Sequence, residues 1–225
     1  MPLELDHAFI TCAPGAPEAA ALLRLGVIEG SGNTHPGQGT ANRRFFFENF
    51  MLELLWVNDQ AQAQSELTRP TRLWDRFAGR AAGVNPFGII FRSSDAPPAP
   101  APFPTWVYRP MYLPPDLSMQ VAAGTTLDEP ELFYLPFLHR RSVVGTEPVA
   151  HQKPIHAITG LAASVPSLAG LSSASRCAEE AGSLSYFESP RPLLKIFFDG
   201  PPDLHYDLRP DLPLIFSSTP QADRS

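Results

Sequence analysis

The chain has 225 residues and a formal charge of −6; it is 44% hydrophobic and only 18% charged. That length buries a real core in one large domain or two small ones, and an acidic balance without a Lys/Arg cluster argues against nucleic acid, whose phosphates need concentrated positive charge. No apolar run approaches the roughly 20 residues of a membrane span, and Met1-Pro2-Leu3-Glu4-Leu5-Asp6 lacks a signal peptide's basic and apolar regions; a cytoplasmic protein with Cys12 and Cys177 as reduced thiols is expected.

Leu5 to Cys12 is a short apolar, strand-like run ended by Pro14-Gly15-Ala16-Pro17. Glu18 to Leu25 predicts a helix, with a proline at its start and Gly26 at its end. A weak strand near Val27 and a polar, glycine-rich loop from Gly30 to Gly39 follow. Arg43 to Glu48 and Met51 to Val57 then form a hairpin turning near Asn49. The order is that of one βαβββ unit. Ser65 to Arg80 suits a connecting helix, regular from about Pro70, with Leu67, Leu73, Trp74 and Phe77 on one face. Phe87 to Arg92 is the next strand. Where a second helix is expected, Ala96 to Pro104 carries five prolines and reads as extended polyproline-like chain. Strands at Thr105 to Tyr108, Ser118 to Ala122 and Leu132 to Leu138 complete a second unit. A third begins at Ile155: His156 to Val165 as strand, Leu168 to Ala181 as helix ended by Gly182, then Leu184 to Phe187, Leu193 to Phe198 and segments near Tyr206 and Leu214. His7-Ala8 and His156-Ala157 each open a strand that leads to a helix. The expected organisation is paired units over 1–140, a third βαβββ-like unit over 151–218 and a polar tail over 219–225.

Several segments resemble one family. Leu5-Asp6-His7-Ala8-Phe9-Ile10 is similar to the opening strand of vicinal-oxygen-chelate proteins (the glyoxalase/bleomycin-resistance/dioxygenase superfamily), and Met51-Leu52-Glu53-Leu54-Leu55 to their fourth. His35-Pro36-Gly37-Gln38-Gly39-Thr40-Ala41-Asn42, Ile89 to Asp95, Leu135-Pro136-Phe137-Leu138 and the His151 to Leu161 segment resemble a glyoxalase-like branch of it. The resemblance implies an α+β fold in which repeated βαβββ units form an open, cup-shaped mixed β-sheet with flanking helices. It also implies that His7 and Glu53 supply ligands to a divalent metal (Zn, Ni, Mn or Fe). The two further ligands usual in the family are not visible: the matching position in the second unit is Gly88, and Leu132 to Leu138 has no Glu, so His139 at its end is the expected third ligand. Arg140 beside it would repel a metal or hold an anion.

The residues themselves leave three readings of His7 and Glu53 open. His7 shares a strand face with Phe9 and Thr11, and Glu53 one with Met51, Leu55 and Val57. An acid amid that much apolar surface must be paired, protonated or metal-bound. Metal ligation, a metal-free acid/base pair and a purely structural role all satisfy this. In the glycine-rich loop, Gly37 and Gly39 let the backbone bend near a ligand, while His35, Thr40 and Asn42 supply polar contacts. Arg43 and Arg44 point to opposite sides of a strand, and an inward Arg44 would hold an oxyanion. His151, His156 and His205 match no zinc pattern, and Asp203, Asp207 and Asp211 read as turn acids. No nucleophile elbow, phosphate loop or dinucleotide fingerprint is present.

Two functions fit. One is a glyoxalase-like lyase, isomerase or dioxygenase-like enzyme acting on a small oxygenated molecule, with catalytic Glu53 and His7 and with His35, Thr40, Asn42 and Arg44 binding substrate. The other is a non-catalytic small-molecule binding protein of the same fold, with Phe45, Phe46, Phe47, Trp56 and Trp106 as candidate cup aromatics. A small-molecule ligand is the expected partner, with no nucleic acid or membrane; homodimerisation is common among relatives.

Overall fold

A computed structural model describes residues 3–93, 100–138 and 146–219. The first unit is β1 (Leu3–Thr11), α1 (Ala19–Leu25), β2 (Asn33–His35), β3 (Thr40–Phe46) and β4 (Met51–Val57). Gly26, in the left-handed conformation, ends α1 by returning its N–H to the carbonyls of Leu22 and Leu23. The expected weak strand near Val27 is instead the edge strand β2, inside the stretch read as loop. Its cause is local: Gly37 and Gly39, with φ of +81° and +74°, turn the chain tightly enough for Asn33–His35 to pair back onto Thr40–Asn42.

The connecting segment is broken rather than one helix: α2 (Gln60–Ala63), a 3₁₀ turn over Arg69–Thr71 and α3 (Leu73–Ala78), with Arg72 at φ +56° between the last two. The second unit then supplies β5 (Phe87–Ser93), β6 (Thr105–Tyr108), β7 (Met119–Ala122) and β8 (Glu131–Leu135). Together the two units form one eight-stranded open sheet in the order β2-β3-β4-β1-β5-β8-β7-β6. Each unit pairs its first and last strands in parallel, β1 with β4 and β5 with β8, and the halves meet through antiparallel β1 and β5.

The rest of the chain gives β9 (Ile158–Val165), α4 (Ser173–Glu180), β10 (Leu184–Glu188), β11 (Leu194–Asp199), β12 (His205–Asp207) and β13 (Leu214–Thr219), a second sheet ordered β10-β9-β11-β13-β12. Its connectivity departs from that of one βαβββ unit. β9 does not pair with a final strand; it lies parallel to β10 and antiparallel to β11, while β11 lies parallel to β13. The sheet therefore contains two shortened units meeting at β9 and β11, as the large sheet's halves meet at β1 and β5.

One apolar core joins Ala8, Ile10, Leu52, Leu54, Ile89 and Phe91 on one face of the large sheet to α1, α4 and the second sheet's Leu161, Ala163, Ile196 and Phe216. Fully burying each large apolar side chain here contributes roughly 1.5–3 kcal/mol. Phe45 and Phe47 belong to this core and Trp56 packs against it, so three of the aromatics expected to line a cup are structural. Cys12 is buried here too, and burial pushes its thiol pKa well above the ordinary range, which keeps it protonated. The opposite face of the large sheet carries a smaller cluster of Phe9, Leu55, Leu73, Ile90, Tyr108, Val121, Phe133 and Leu135. No helix among the described residues is long and apolar enough to cross a membrane.

Candidate functional site

Strand alternation decides which side chains meet on that second face. His7 pairs with Met51 and Phe9 with Glu53 across the parallel β1 and β4, so His7 and Glu53 are diagonal neighbours on one side. Thr40 pairs with both Val57 and His35, which brings His35 to the same side from the edge of the sheet. His7, His35 and Glu53 line one cavity of about 230 Å³ with Gln38 and Tyr112. Phe9, Ile90, Phe133 and Leu135 make its apolar wall. The lining residues come from the large sheet, its loops and the start of α3.

The orientation of His7 depends on Asp6, a residue outside the expected site set. Leu5 pairs with Phe91 and His7 with Ile90, so Asp6 is an extra residue, a β-bulge between β1 and β5. The bulge lets adjacent residues meet: the Asp6 carboxylate holds His7 Nδ1 at 2.6 Å and accepts from Arg92 Nη1 at 2.5 Å. Arg92, itself buried, also reaches Glu4 at 3.3 Å. With Nδ1 taken by Asp6, His7 Nε2 has no hydrogen-bond partner among the described residues, and neither has the Glu53 carboxylate, although Glu53 is only 8% exposed.

His35 Nδ1 lies 2.9 Å from Thr40 Oγ1, and its ring packs on Tyr112 with centroids 4.7 Å apart. Burial lowers the His35 pKa from the ordinary 6.5, outweighing the attraction of Glu53, and His7 and Arg44 act in the same direction as burial. Burial, with Tyr108 and Glu53 nearby, pushes the Tyr112 phenol well above its ordinary 10.

Other expected contacts fall outside the cavity wall. Thr40 is buried behind His35. Asn42 Oδ1 accepts from the Asn33 backbone N–H at 2.8 Å, while its buried Nδ2 has no partner among the described residues. Arg44 is opposite Glu53 in register, yet its guanidinium turns to the Ser31 carbonyl at 2.6 Å and lies over the Phe46 ring. His139 and Arg140 lie outside the described residues. His151 spans the two sheets' loops: Nδ1 accepts from the Ile28 N–H at 3.1 Å and Nε2 donates to the Phe46 carbonyl at 3.0 Å. Burial lowers its pKa too. Both His35 and His151 are thus held neutral where the unfolded chain takes up protons, so stability falls as pH drops below about 6.5 and rises with pH through that window. The urea midpoint is expected to be lower at about pH 5.5 than at about pH 7.5; an unchanged midpoint would contradict this placement.

The donor set does not complete a metal site. Among the described residues, no group of three or more His, Cys, Asp or Glu side chains is placed to hold a metal ion. The facing half of the cavity is apolar: Ile90, Phe133 and Leu135 stand where further ligands would come from. At Gly88 the reason is steric. An added Cβ would fall 2.1 Å from the Phe9 ring, so the ring occupies the space a side chain there would need. β8 does begin with a carboxylate, one residue before the expected strand, but Glu131 is bound to Arg72 Nη2 at 2.6 Å, Thr125 Oγ1 at 2.7 Å and Arg76 Nη2 at 3.2 Å, away from the cavity.

Comparison with known proteins agrees with this architecture. Residues 5–168 match the family model described as a glyoxalase-like domain. No curated protein matches the sequence. A hypothetical protein from Staphylococcus aureus superposes with a TM-score of 0.50 at 10% identity, over 98% of this chain and 100% of that one. A xylose isomerase-like TIM barrel/4-hydroxyphenylpyruvate dioxygenase fusion protein aligns with 88% of this chain and 36% of its own (TM-score 0.44, 11% identity). A mutant of 4-hydroxymandelate synthase from Streptomyces coelicolor aligns with 98% and 63% (TM-score 0.42, 12% identity). At 10% identity the likeness to the Staphylococcus aureus protein concerns fold alone.

Proposed function

Because this chain belongs to the glyoxalase-like domain family, we propose that the cavity of the large sheet takes a small oxygenated molecule, which Glu53 and His7 act on by proton transfer without a metal. The observation that carries the reading is the meeting of three polar side chains, His7, His35 and Glu53, from three strands in one otherwise apolar cavity. A carboxylate in such a wall is costly until something satisfies it, and a ligand hydroxyl or acidic C–H is the group that fits. Glu53 accepts the proton. His7 exchanges one at Nε2, and Asp6 keeps the imidazole oriented and stabilises it when it is cationic. The apolar body of the ligand packs on Phe9, Ile90 and Phe133. A second reading, binding without chemistry, is favoured by the apolar residues at the remaining ligand positions.

The test is a panel of 2-oxoaldehydes, 2-oxo acids and hydroxyketones with apolar tails, offered to protein dialysed against EDTA. At least one compound is expected to raise the melting temperature and to be consumed, with the same affinity before and after chelation. Stabilisation without consumption supports the second reading. A response that needs added divalent metal, or no response to any compound, overturns the proposal.

A further inference from the structure

The turn between β2 and β3 sets which nitrogen of His35 carries the proton, and the meaning of that proton for a ligand rests on the cavity being the binding site. Gln38 Nε2 donates to Thr40 Oγ1 at 2.8 Å, and the Tyr108 hydroxyl donates to Gln38 Oε1 at 3.2 Å. Each hydroxyl has one proton to give. Tyr108 gives its proton to the Gln38 oxygen, which leaves the Gln38 amide nitrogen facing Thr40. The Thr40 hydroxyl accepts from Gln38 and is 1% exposed; among the described residues His35 Nδ1 is the one acceptor within reach of its proton, which it therefore gives to that nitrogen. The imidazole hydrogen therefore sits on Nε2, the nitrogen with no partner among the described residues. The opposite polarity would turn the Tyr108 proton from Gln38 Oε1 at 3.2 Å to Thr68 Oγ1 at 3.5 Å, the longer and weaker of the two contacts. Thr68, in turn, points its hydroxyl at the Gly37 carbonyl, 3.2 Å away.

We propose that His35 presents an Nε2–H donor to an acceptor oxygen of the ligand, and that Thr40, Gln38 and Tyr108 are positioning residues that hold this tautomer. The ligand then carries a carbonyl or carboxylate oxygen at its polar end, against His35. In this form His35 has no lone pair facing the cavity and cannot serve as a third metal ligand beside His7 and Glu53. Charge that develops on the ligand oxygen as Glu53 takes a proton is met by a donor already in place. The ionisable groups around the ring are Glu53 on β4, His7 on β1, Arg44 on β3 and the Tyr112 phenol.

Long-range ¹H–¹⁵N correlation spectra of imidazole-labelled protein without ligand, at about pH 7.5, read the tautomer directly. The His35 signals are assigned by their loss in His35→Gln. A single Nε2–H pattern is expected in the wild type, giving way to a mixture of tautomers in Thr40→Val and in Tyr108→Phe. An Nδ1–H or imidazolium pattern in the wild type overturns the proposal; so does an unaltered pattern in variants that keep the native spectrum elsewhere. The wild-type spectrum decides even if neither variant folds. Because no ligand is present, this outcome is independent of whether the cavity binds oxygenated molecules.

Discussion

Glu53→Gln is expected to lower turnover of the cavity's substrate by about 10²–10⁴-fold, the usual contribution of a positioned proton-transfer group, while the fold stays intact. The amide keeps the size of the carboxylate, and β4 holds position 53 by ladder bonds to β1 and β3 that do not involve the side chain. Its only stability effect is to replace an unpartnered, nearly buried charge by a neutral group, so the melting temperature should match or exceed that of the wild type. Turnover of a compound from the panel, followed alongside circular-dichroism melting, separates the two effects. Full activity in the variant would remove Glu53 from the chemistry, and loss of the fold would reassign it to structure.

A large loss of stability is expected at a buried arginine away from the cavity. Arg76 is fully buried, and its guanidinium donates to the carbonyls of Asn85, Glu129 and Thr126 and to the Glu131 carboxylate. This ties α3 to the segment entering β8 and to the chain just before β5. Arg76→Met leaves three carbonyls and part of a carboxylate without their donor in a dry setting, and breaking a buried pair in this way costs about 3–5 kcal/mol. The arginine itself is held at some cost: burial lowers its pKa against the pull of Glu131. Joint replacement by Arg76→Met and Glu131→Leu should therefore recover part of the loss. Urea denaturation checks both, and a single variant within about 1 kcal/mol of wild type would contradict the account.

Much of the architecture is legible in the sequence because its signals are local. Apolar runs with β-compatible residues mark β1, β4, β5 and β9, and glycines mark helix ends; the proline segment expected in place of a second helix lies partly outside the described residues. The remainder depends on pairing between distant strands. β2 has no apolar pattern, since an edge strand with Asn33 and Thr34 exposed has nothing to bury. The two shortened units of the second sheet cannot be told from one full unit, because strand order is not written in periodicity. At the candidate site, the family resemblance and residue type together pick out His7, Glu53 and His35, and all three line one cavity. Asp6 is hidden because strict alternation sends it to the other face. The adjacent polar pair Asp6-His7 in an apolar strand is the available sign of a bulge. Gln38 and Tyr112 reach the site through a turn and a loop and Tyr108 from the end of β6, while Arg44 faces the expected side but finds nearer acceptors at Ser31.

The contact between Phe9 and Gly88 limits how this cup could change. A coordinating side chain on β5 and an aromatic ring on β1 compete for one volume, so neither can be gained without giving up the other. Introducing histidine at position 88 alone would force the ring out of place before it could offer a nitrogen. A route to metal dependence must first open that space, for example by Phe9→Ala, and the intermediate carries a hole in the cavity's apolar wall.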